Sequence, residues 1–336
     1  MKKYLFLFFI VITACSTRKD INEVLQGTFV VRTIPQNDTI EIELNKKYFK
    51  EILILLHENF DNDRIKKLLG LNDIQYEEKI NFLYANSLIK KKDDGAFVPS
   101  CMIMDFENQK QLKKIAKPIG KIVAEIVVAR LPMIRNFYSE HFTKVSSKQK
   151  SELQKNSFED LSLFLLSNVV LNKWQLENIQ ERFIKSSPPK RGNKNFYAAL
   201  FQLKDDNDSL IYSEKSINDS MKVYSKNFFV KNYFNVASKN FYNYKNVMLK
   251  INKSDEKYFE QIASIITKDL IENLDKQKPK LVKYYLNSVY KEETSFWEWL
   301  NWLYQFIIAE ATDELIREGY IKNNSIIYFA QQYDKN

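Results

Sequence analysis

Residues 48–99 read YFKEILILLHENFDNDRIKKLLGLNDIQYEEKINFLYANSLIKKKDDGAFVP, and this stretch decides how the N-terminal part of the chain folds. A second short helix is predicted between Asp61, a capping residue, and Gly70, a closing residue. A third helix is predicted over residues 73–86. The first helix is indicated by apolar residues at spacings of three and four, which form one buried face and comprise Phe49, Ile52, Leu53, Leu56 and Phe60.

A β-hairpin is predicted behind the third helix, because Asp94-Gly95 is a strong turn signal between two short candidate strands. Two helices, the turn Leu69-Gly70-Leu71, a third helix and a hairpin together resemble the winged-helix domains of the MarR and ArsR regulator families. The resemblance covers residues 48–99 and implies a nucleic-acid-binding fold with the hairpin as its wing. The candidate polyanion-binding residues on that wing are Lys90, Lys91 and Lys92.

The third helix is poorly suited to DNA. A recognition helix needs amide, hydroxyl or basic groups at its exposed start. This helix instead begins with several carboxylates, which repel a polyanion, and Lys79 is its nearest basic residue. The residues at its start are Asp73, Gln75, Glu77 and Glu78. We therefore expect a winged fold that serves as a scaffold or interaction surface, with nucleic acid an unfavoured partner.

Residues 1–15 predict export and a lipid anchor. Lys2 and Lys3 precede an apolar run that is shorter than the roughly 20 residues of a membrane-spanning helix, as in a secretory signal. The following Ile12-Thr13-Ala14-Cys15 resembles a bacterial lipobox, which implies that Cys15 receives lipid and joins the chain to a membrane. Ser16 after the cysteine favours the outer membrane if the cell has two membranes. The alternatives are an ordinary cleaved signal and a short buried segment.

Composition favours a mostly α protein with small β-hairpins, an α+β fold. The 336 residues include only 6 glycines and 7 prolines, too few turn formers for a many-stranded barrel. The net charge of +9 suits an anionic partner such as lipid headgroups, although charges of both signs alternate along most predicted helices. If Cys15 carries lipid, Cys101 is the one remaining thiol and no intrachain disulfide can form.

The predicted organisation runs from an anchor to a helical, aromatic-rich C-terminal region. Residues 28–34 and 39–44 alternate in polarity and predict a further hairpin. Pro118 and Pro132 predict kinks or breaks in a long helical connector, and two helices are expected over 256–274 and 279–290. The predicted boundaries are a signal at 1–15, a tether at 16–27, a winged-helix-like domain at 28–104, the connector at 105–145, and a C-terminal domain at 157–336 with a hairpin near 195–212.

No catalytic motif is present in the sequence. His57 and His141 each stand beside a glutamate, but neither belongs to a His-Glu-x-x-His motif, and no Gly-x-Ser-x-Gly elbow occurs. The adjacent pairs Glu77-Glu78 and Glu292-Glu293 are expected to be solvated. The acidic run at 205–209 lacks the glycine and glutamate of a calcium loop. We therefore expect no catalytic residue, no metal site and no cofactor.

An aromatic cluster near the C-terminus has two possible roles. It could be core packing, which is the commoner fate of such residues, or an exposed surface for a sugar, membrane or protein. The residues that would form that binding surface are Trp297, Trp299 and Trp302. A second group of aromatic residues interleaved with lysine lies at 233–244.

Together these features predict a lipid-anchored cell-envelope protein that acts as a non-enzymatic binding or interaction module. Its partner would be an envelope protein or polymer, or the membrane surface itself. The first alternative is a winged-helix transcriptional regulator that binds nucleic acid. The second alternative is an envelope hydrolase without a recognisable motif.

Overall fold

The computed structural model describes residues 21, 25, 27–34, 38–143, 157–203, 213–218, 221–225, 248–252, 255–322 and 328–333. Within these ranges the chain is mostly helical with small sheets, which confirms the predicted α+β class. Several predicted features lie outside the described residues: the signal at 1–15, most of the tether, the acidic run at 205–209 and the aromatic segment at 233–244. The hairpin predicted near 195–212 is described only in its first half, where residues 197–203 form a strand that pairs with residues 28–34 on one side and 102–104 on the other.

The N-terminal elements follow the predicted order of three helices and a hairpin. Their bounds are β1 Thr28–Ile34, α1 Asp38–Leu44, α2 Phe49–His57, α3 Asn62–Leu69, α4 Asp73–Ala85, β2 Ile89–Lys91, β3 Phe97–Pro99 and β4 Met102–Met104.

The remaining elements are dominated by three long helices. Their bounds are α5 Phe106–Tyr138, the π-helices π1 Ser139–Thr143 and π2 Leu163–Asn172, α6 Lys173–Ile179, π3 Gln180–Ile184, β5 Lys190–Arg191, β6 Lys194–Asn195, β7 Tyr197–Leu203, β8 Ser213–Asn218, β9 Met221–Ser225, β10 Met248–Asn252, α7 Glu256–Leu286, a 3-10 turn Val289–Lys291, α8 Phe296–Arg317 and β11 Tyr328–Tyr333.

Local capping explains where the N-terminal helices begin and end. The Asp61 carboxylate accepts the backbone N–H of Arg64 at the start of α3, and Gly70 closes that helix with a φ of 63°. Asn72 and Gln75 form a reciprocal capping box at the start of α4. The boundaries of α3 predicted from Asp61 and Gly70 are confirmed, whereas the capping box at Asn72 and Gln75 was not predicted.

The predicted hairpin at 28–44 is wrong. Its first half is β1, but its second half is α1, and β1 pairs antiparallel with β7, far along the chain. Residues 39–44 alternate apolar and polar side chains over only six positions. A run that short does not separate a strand from a helix, and the partner of β1 decides the outcome.

A three-stranded sheet lies between two hydrophobic cores. Its order is β1-β7-β4, with β7 antiparallel to β1 and parallel to β4. Every residue of β7 is buried, and its side chains alternate between the cores. Tyr197 and Phe201 point to the larger core, whereas Ala198 and Leu200 point to the smaller one. The expected boundary between the N-terminal and C-terminal regions is therefore bridged by this sheet.

The larger core is a helical bundle built around α8, most of whose side chains are buried. Its neighbours are α5, α7 and π2. The contact with α5 is close at Gly120, where a β-carbon would stand 2.6 Å from the Glu310 Cβ. The predicted connector thus supplies a wall of the C-terminal core, since its apolar stripe faces α8.

Prolines lie inside the long helices and do not end them. Pro118 and Pro132 are both within the unbroken α5, and Pro279 is within α7, where two separate helices were expected. All three prolines are exposed, so the carbonyls that lose a hydrogen bond can face water. A second sheet, of order β10-β11-β9-β8, includes the C-terminal strand β11.

Candidate functional site

The three candidate wing residues lie together on an exposed hairpin. Lys90 and Lys91 are in β2, and Lys92 begins the turn, where its backbone N–H donates to the Ala96 carbonyl. All three are exposed, but so are Asp93 and Asp94 at the tip of the same turn. The two carboxylates reduce the positive charge that the wing could offer to a polyanion.

The exposed face of α4 is acidic and apolar. Asp73, Glu77 and Glu78 are exposed, as the sequence indicated, and Ile74 is 80% exposed beside them. A face of this composition opposes phosphate and suits a protein surface better than a nucleic acid.

The tryptophan cluster does not form an exposed surface. Trp299 and Trp302 are only 1% and 2% exposed, and Trp302 packs edge-on against Phe201 of β7 with ring centroids 5.5 Å apart. Trp297 is half-buried, with the Lys278 ammonium 4.8 Å from its ring centroid. The prediction of an aromatic binding surface is therefore wrong for Trp299 and Trp302, because α8 is enclosed by neighbouring helices.

A cleft of about 490 Å³ lies between the α1–α2 junction and α4. Tyr48 begins α2 with a φ of 78°, a left-handed conformation that is uncommon for a residue with a side chain. Phe49 packs against Phe82 of α4 with ring centroids 4.9 Å apart. Local backbone geometry and aromatic packing therefore shape a cleft of the size that ligands occupy.

The cleft carries charges of both signs beside its aromatic rings. Lys46 pairs with Glu43 at 2.6 Å, and the Lys79 ammonium lies 3.3 Å from Glu78 and 5.0 Å from the Phe49 ring centroid. Exposed pairs of this kind contribute little to stability and can exchange partners. The arrangement can accept an apolar side chain together with a carboxylate.

A buried pair joins α2 to the segment before α8. His57 Nδ1 and Glu293 Oε1 are 2.6 Å apart, and His57 Nε2 is 3.1 Å from the Asn108 amide nitrogen. Tyr290 stacks beside the imidazole. Glu293, expected to be solvated, is buried by this contact, because the turn before α8 folds against the end of α2.

The protonation of this pair follows from its surroundings. Burial lowers the pKa of His57, but the charge and hydrogen bond of Glu293 outweigh it and raise the pKa above its usual value. Burial also raises the pKa of Glu293, against the opposing effect of His57. Both shifts favour the protonated form of the residue concerned, so the pair holds its protons to a higher pH than the isolated side chains do.

The hydrogen-bond partners of His57 among the described residues are Glu293 and Asn108. Neither carries the hydroxyl or thiol that a histidine base would activate for nucleophilic catalysis. His141 lies in π1, tilted against Phe137 and stacked on Tyr258. The two histidines therefore form no common site.

A second buried pair lies nearby. Both Glu298 oxygens accept from Arg191 Nη2 at 2.7 Å, and side chains of both residues are almost fully buried. Glu298 also accepts the Ala198 N–H and the Thr294 hydroxyl. Arg191 donates further to backbone carbonyls of Ser87, Ser100 and Phe196. This network joins α8 and the β5–β6 hairpin to the wing and β7, which is a structural role.

No family model, curated protein or solved structure matches this chain. The chemistry that the candidate site supports therefore follows from its own residues and their geometry. Within the described ranges, no group of three or more His, Cys, Asp or Glu residues is placed to hold a metal ion. None of the helices described has both the length and the apolar character needed to span a bilayer.

Sequence reasoning missed the cleft and both buried pairs. Lys46, Lys79 and Phe82 carry no motif, and they meet only because α4 folds across the α1–α2 junction. Glu293 was expected to be solvated together with Glu292, and no local pattern distinguished Glu298 from the other glutamates. One available signal was the position of His57 as the last residue of a strongly apolar helix, where burial is expected.

Proposed function

We propose that this chain is a lipid-anchored cell-envelope protein that acts as a non-enzymatic interaction module. The observation that carries the proposal is the order of residues 1–15: two lysines, a short apolar run, then Ile12-Thr13-Ala14-Cys15. That order gives Cys15 the context of a lipid acceptor, and the outer membrane is the favoured destination if the cell has two membranes.

The proposed interaction surface is the cleft beside α4. Its aromatic rings and exchangeable lysine–glutamate pairs suit a peptide segment with an apolar and an acidic side chain. The order of three helices and a hairpin supports a winged-helix-like unit that serves here as a scaffold for this cleft. The acidic face of α4 and the aspartates beside Lys90–Lys92 weigh against DNA as the partner.

Radiolabelled palmitate and membrane fractionation test the anchor. We expect the wild-type protein to incorporate label and sediment with membranes, and Cys15→Ala to lose both. Cys101→Ala is the matched control, because it removes the other cysteine, which is buried in the smaller core. Label and membrane retention that persist in Cys15→Ala would refute the lipoprotein assignment.

A photoreactive amino acid tests the cleft in the intact cell. Placed at Glu78, an exposed residue that lines the cleft, it is expected to crosslink a discrete envelope protein. Lys121, exposed on α5, is the control position and should give no such adduct. Equal crosslinking at the two positions, or none at Glu78, would remove the cleft from the proposal.

A further inference from the structure

The end of α7 and the turn that follows it form a basic segment. Residues 276–291 read KQKPKLVKYYLNSVYK, with five lysines and no acidic residue. Asp275 precedes this segment and Glu292 follows it, so the positive charge spans about the last three turns of α7 and the short turn behind it. We call these sixteen residues the α7 basic segment.

Three of the lysines share one exposed face of the helix. Lys276, Lys280 and Lys283 are spaced at i, i+4 and i+7, which places them in one row, and all three are exposed. Lys278 lies on the other side, half-buried, with its ammonium against the rings of Phe183 and Trp297. The three lysines of the row therefore point to solvent on one side of α7, whereas Lys278 packs against the helical bundle.

Large apolar side chains are exposed beside these lysines. Tyr284, Leu286 and Val289 are 39%, 53% and 54% exposed, whereas Leu281 and Tyr290 of the same segment are buried in the larger core. The segment thus packs against the larger core through one set of apolar residues and exposes another set to solvent. Within 276–291 the exposed set and the lysine row lie at the same end of α7.

Lysines beside exposed aromatic and aliphatic side chains are the composition of surfaces that bind anionic lipid interfaces. The lysines are attracted to headgroup phosphates within a Debye length, about 8 Å at physiological salt. The apolar side chains can then enter the boundary between headgroups and acyl chains. The phosphates of a nucleic acid could also bind the lysines, but they would leave the apolar side chains of Leu286 and Val289 exposed to water.

We propose that the α7 basic segment is a second membrane contact, which docks the folded protein against anionic lipid headgroups. The inference deepens the proposed function and rests on it, since an anchor at Cys15 would keep this surface near a bilayer. A single anchor at Cys15 does not specify which face of the folded part meets the membrane. Two contacts would fix which face of the protein, and hence of the cleft, points away from the membrane.

Vesicle sedimentation tests this contact without the lipid anchor. The probe protein is the unlipidated chain of residues 16–336, which retains every residue that the structure describes. It is expected to bind vesicles of phosphatidylcholine mixed with phosphatidylglycerol, and not vesicles of phosphatidylcholine alone. The variant Lys276→Ala/Lys280→Ala/Lys283→Ala should bind the anionic vesicles about tenfold less tightly or worse, since each lysine contributes separately.

A matched control removes the same charge elsewhere. Lys114, Lys117 and Lys121 form a similar exposed row on α5, in a stretch that is at least as rich in lysine but has no exposed large apolar side chain between residues 110 and 121. Their triple alanine variant should therefore keep anionic vesicle binding within about twofold of wild type. Leu286→Ser/Val289→Ser should lose the part of the binding that persists at high salt. Circular dichroism spectra of all variants verify that the helices remain formed.

Three results would overturn the proposal. They are no binding of the wild-type chain to anionic vesicles, equal loss in the two lysine variants, and binding to duplex DNA in place of vesicles. These outcomes are independent of the anchor, because palmitate labelling reports on Cys15 and vesicle binding uses a chain without lipid. Failure of one experiment can thus be told from failure of the other.

Discussion

At the scale of single residues, buried charges hold the turn before α8 in place. Glu298 is bonded to Arg191, Thr294 and the backbone of β7, so its carboxylate is neutralised by several partners at once. A buried pair of this kind need not exceed a hydrophobic pair in stability, but breaking it leaves one charge without compensation.

We predict that Glu298→Gln lowers the free energy of unfolding by roughly 3–5 kcal/mol, because Arg191 would remain buried and charged. Urea denaturation measures this change. Glu292→Gln, at an exposed neighbouring position, should stay within about 0.5 kcal/mol of wild type. Equal stability of the two variants would show that the buried pair does not hold α8.

The His57–Glu293 pair predicts a pH dependence of stability. The pKa of each residue is raised in the folded state, so the folded chain binds more protons than the unfolded chain. The contribution of each residue to the free energy of unfolding is therefore fully present below its ordinary pKa. The Glu293 contribution falls as the pH rises from about 4.5 through its folded pKa, and the His57 contribution falls as the pH rises from about 6.5 through its folded pKa.

Denaturation at a series of pH values between about 5 and 8.5 measures this slope. We expect the fall to be smaller in His57→Gln/Glu293→Gln, which keeps side chains that can hydrogen-bond but removes both titrating groups. A steeper fall in the double variant, or the same slope as in wild type, would contradict the assignment.

Cys101 is predicted to be unreactive in the native protein. Its side chain is fully buried, and burial raises the pKa of the thiol to about 12, so little thiolate exists near neutral pH. A thiol reagent added to the chain of residues 16–336 should label Cys101 only after denaturation in urea. Rapid labelling of the native protein at pH 7 would place Cys101 at an accessible surface.

At the scale of elements, the contact between α5 and α8 is set by a glycine. A side chain at position 120 would meet Glu310 Cβ at 2.6 Å and the α8 backbone at 3.0 Å. We predict that Gly120→Ala destabilises the protein by about 1–3 kcal/mol, because the two helices must separate. Ala116→Gly on the same helix is the comparison, because it removes a methyl group and lowers helix propensity without adding volume. Thermal unfolding of the two variants therefore separates the effect of overpacking from that of helix propensity. No change in Gly120→Ala would mean that the helices do not approach this closely.

The elements that the sequence predicted are those determined by neighbouring residues. Asp61 and Gly70 act within one turn of chain, so the start and end of α3 were visible in the sequence. The pairing of β1 with β7 joins residues about 170 positions apart, and no local pattern encodes it. The breaks expected at the prolines did not occur for a related reason: packing within the helical bundle keeps α5 and α7 continuous through Pro118, Pro132 and Pro279.

The candidate site was predictable only in part. The exposure of Lys90–Lys92 followed from a turn signal in the sequence. The contact of His57 with Glu293 spans 236 positions, so it depends on how the two cores meet across the sheet. The sequence was compatible with Trp299 and Trp302 at the surface or in the core. They are core residues because neighbouring elements enclose α8.

At the scale of the whole molecule, the shared sheet makes the N-terminal and C-terminal regions interdependent. β7 comes from the C-terminal half but stands between two N-terminal strands, with buried side chains on each face. A fragment ending near residue 145 would lack the central strand of this sheet. We predict that residues 16–145 alone give no cooperative thermal transition, whereas residues 16–336 do; a cooperative transition of the fragment would contradict a shared core.

The central claim is that Cys15 becomes a lipidated N-terminus that joins this folded body to a membrane. Mass spectrometry of the protein purified from membranes tests it most directly. The account predicts an N-terminal tryptic peptide, Cys15–Arg18, that carries a diacylglyceryl group on the cysteine. A chain that begins at Met1, or an unmodified Cys15 within a longer peptide, would contradict it.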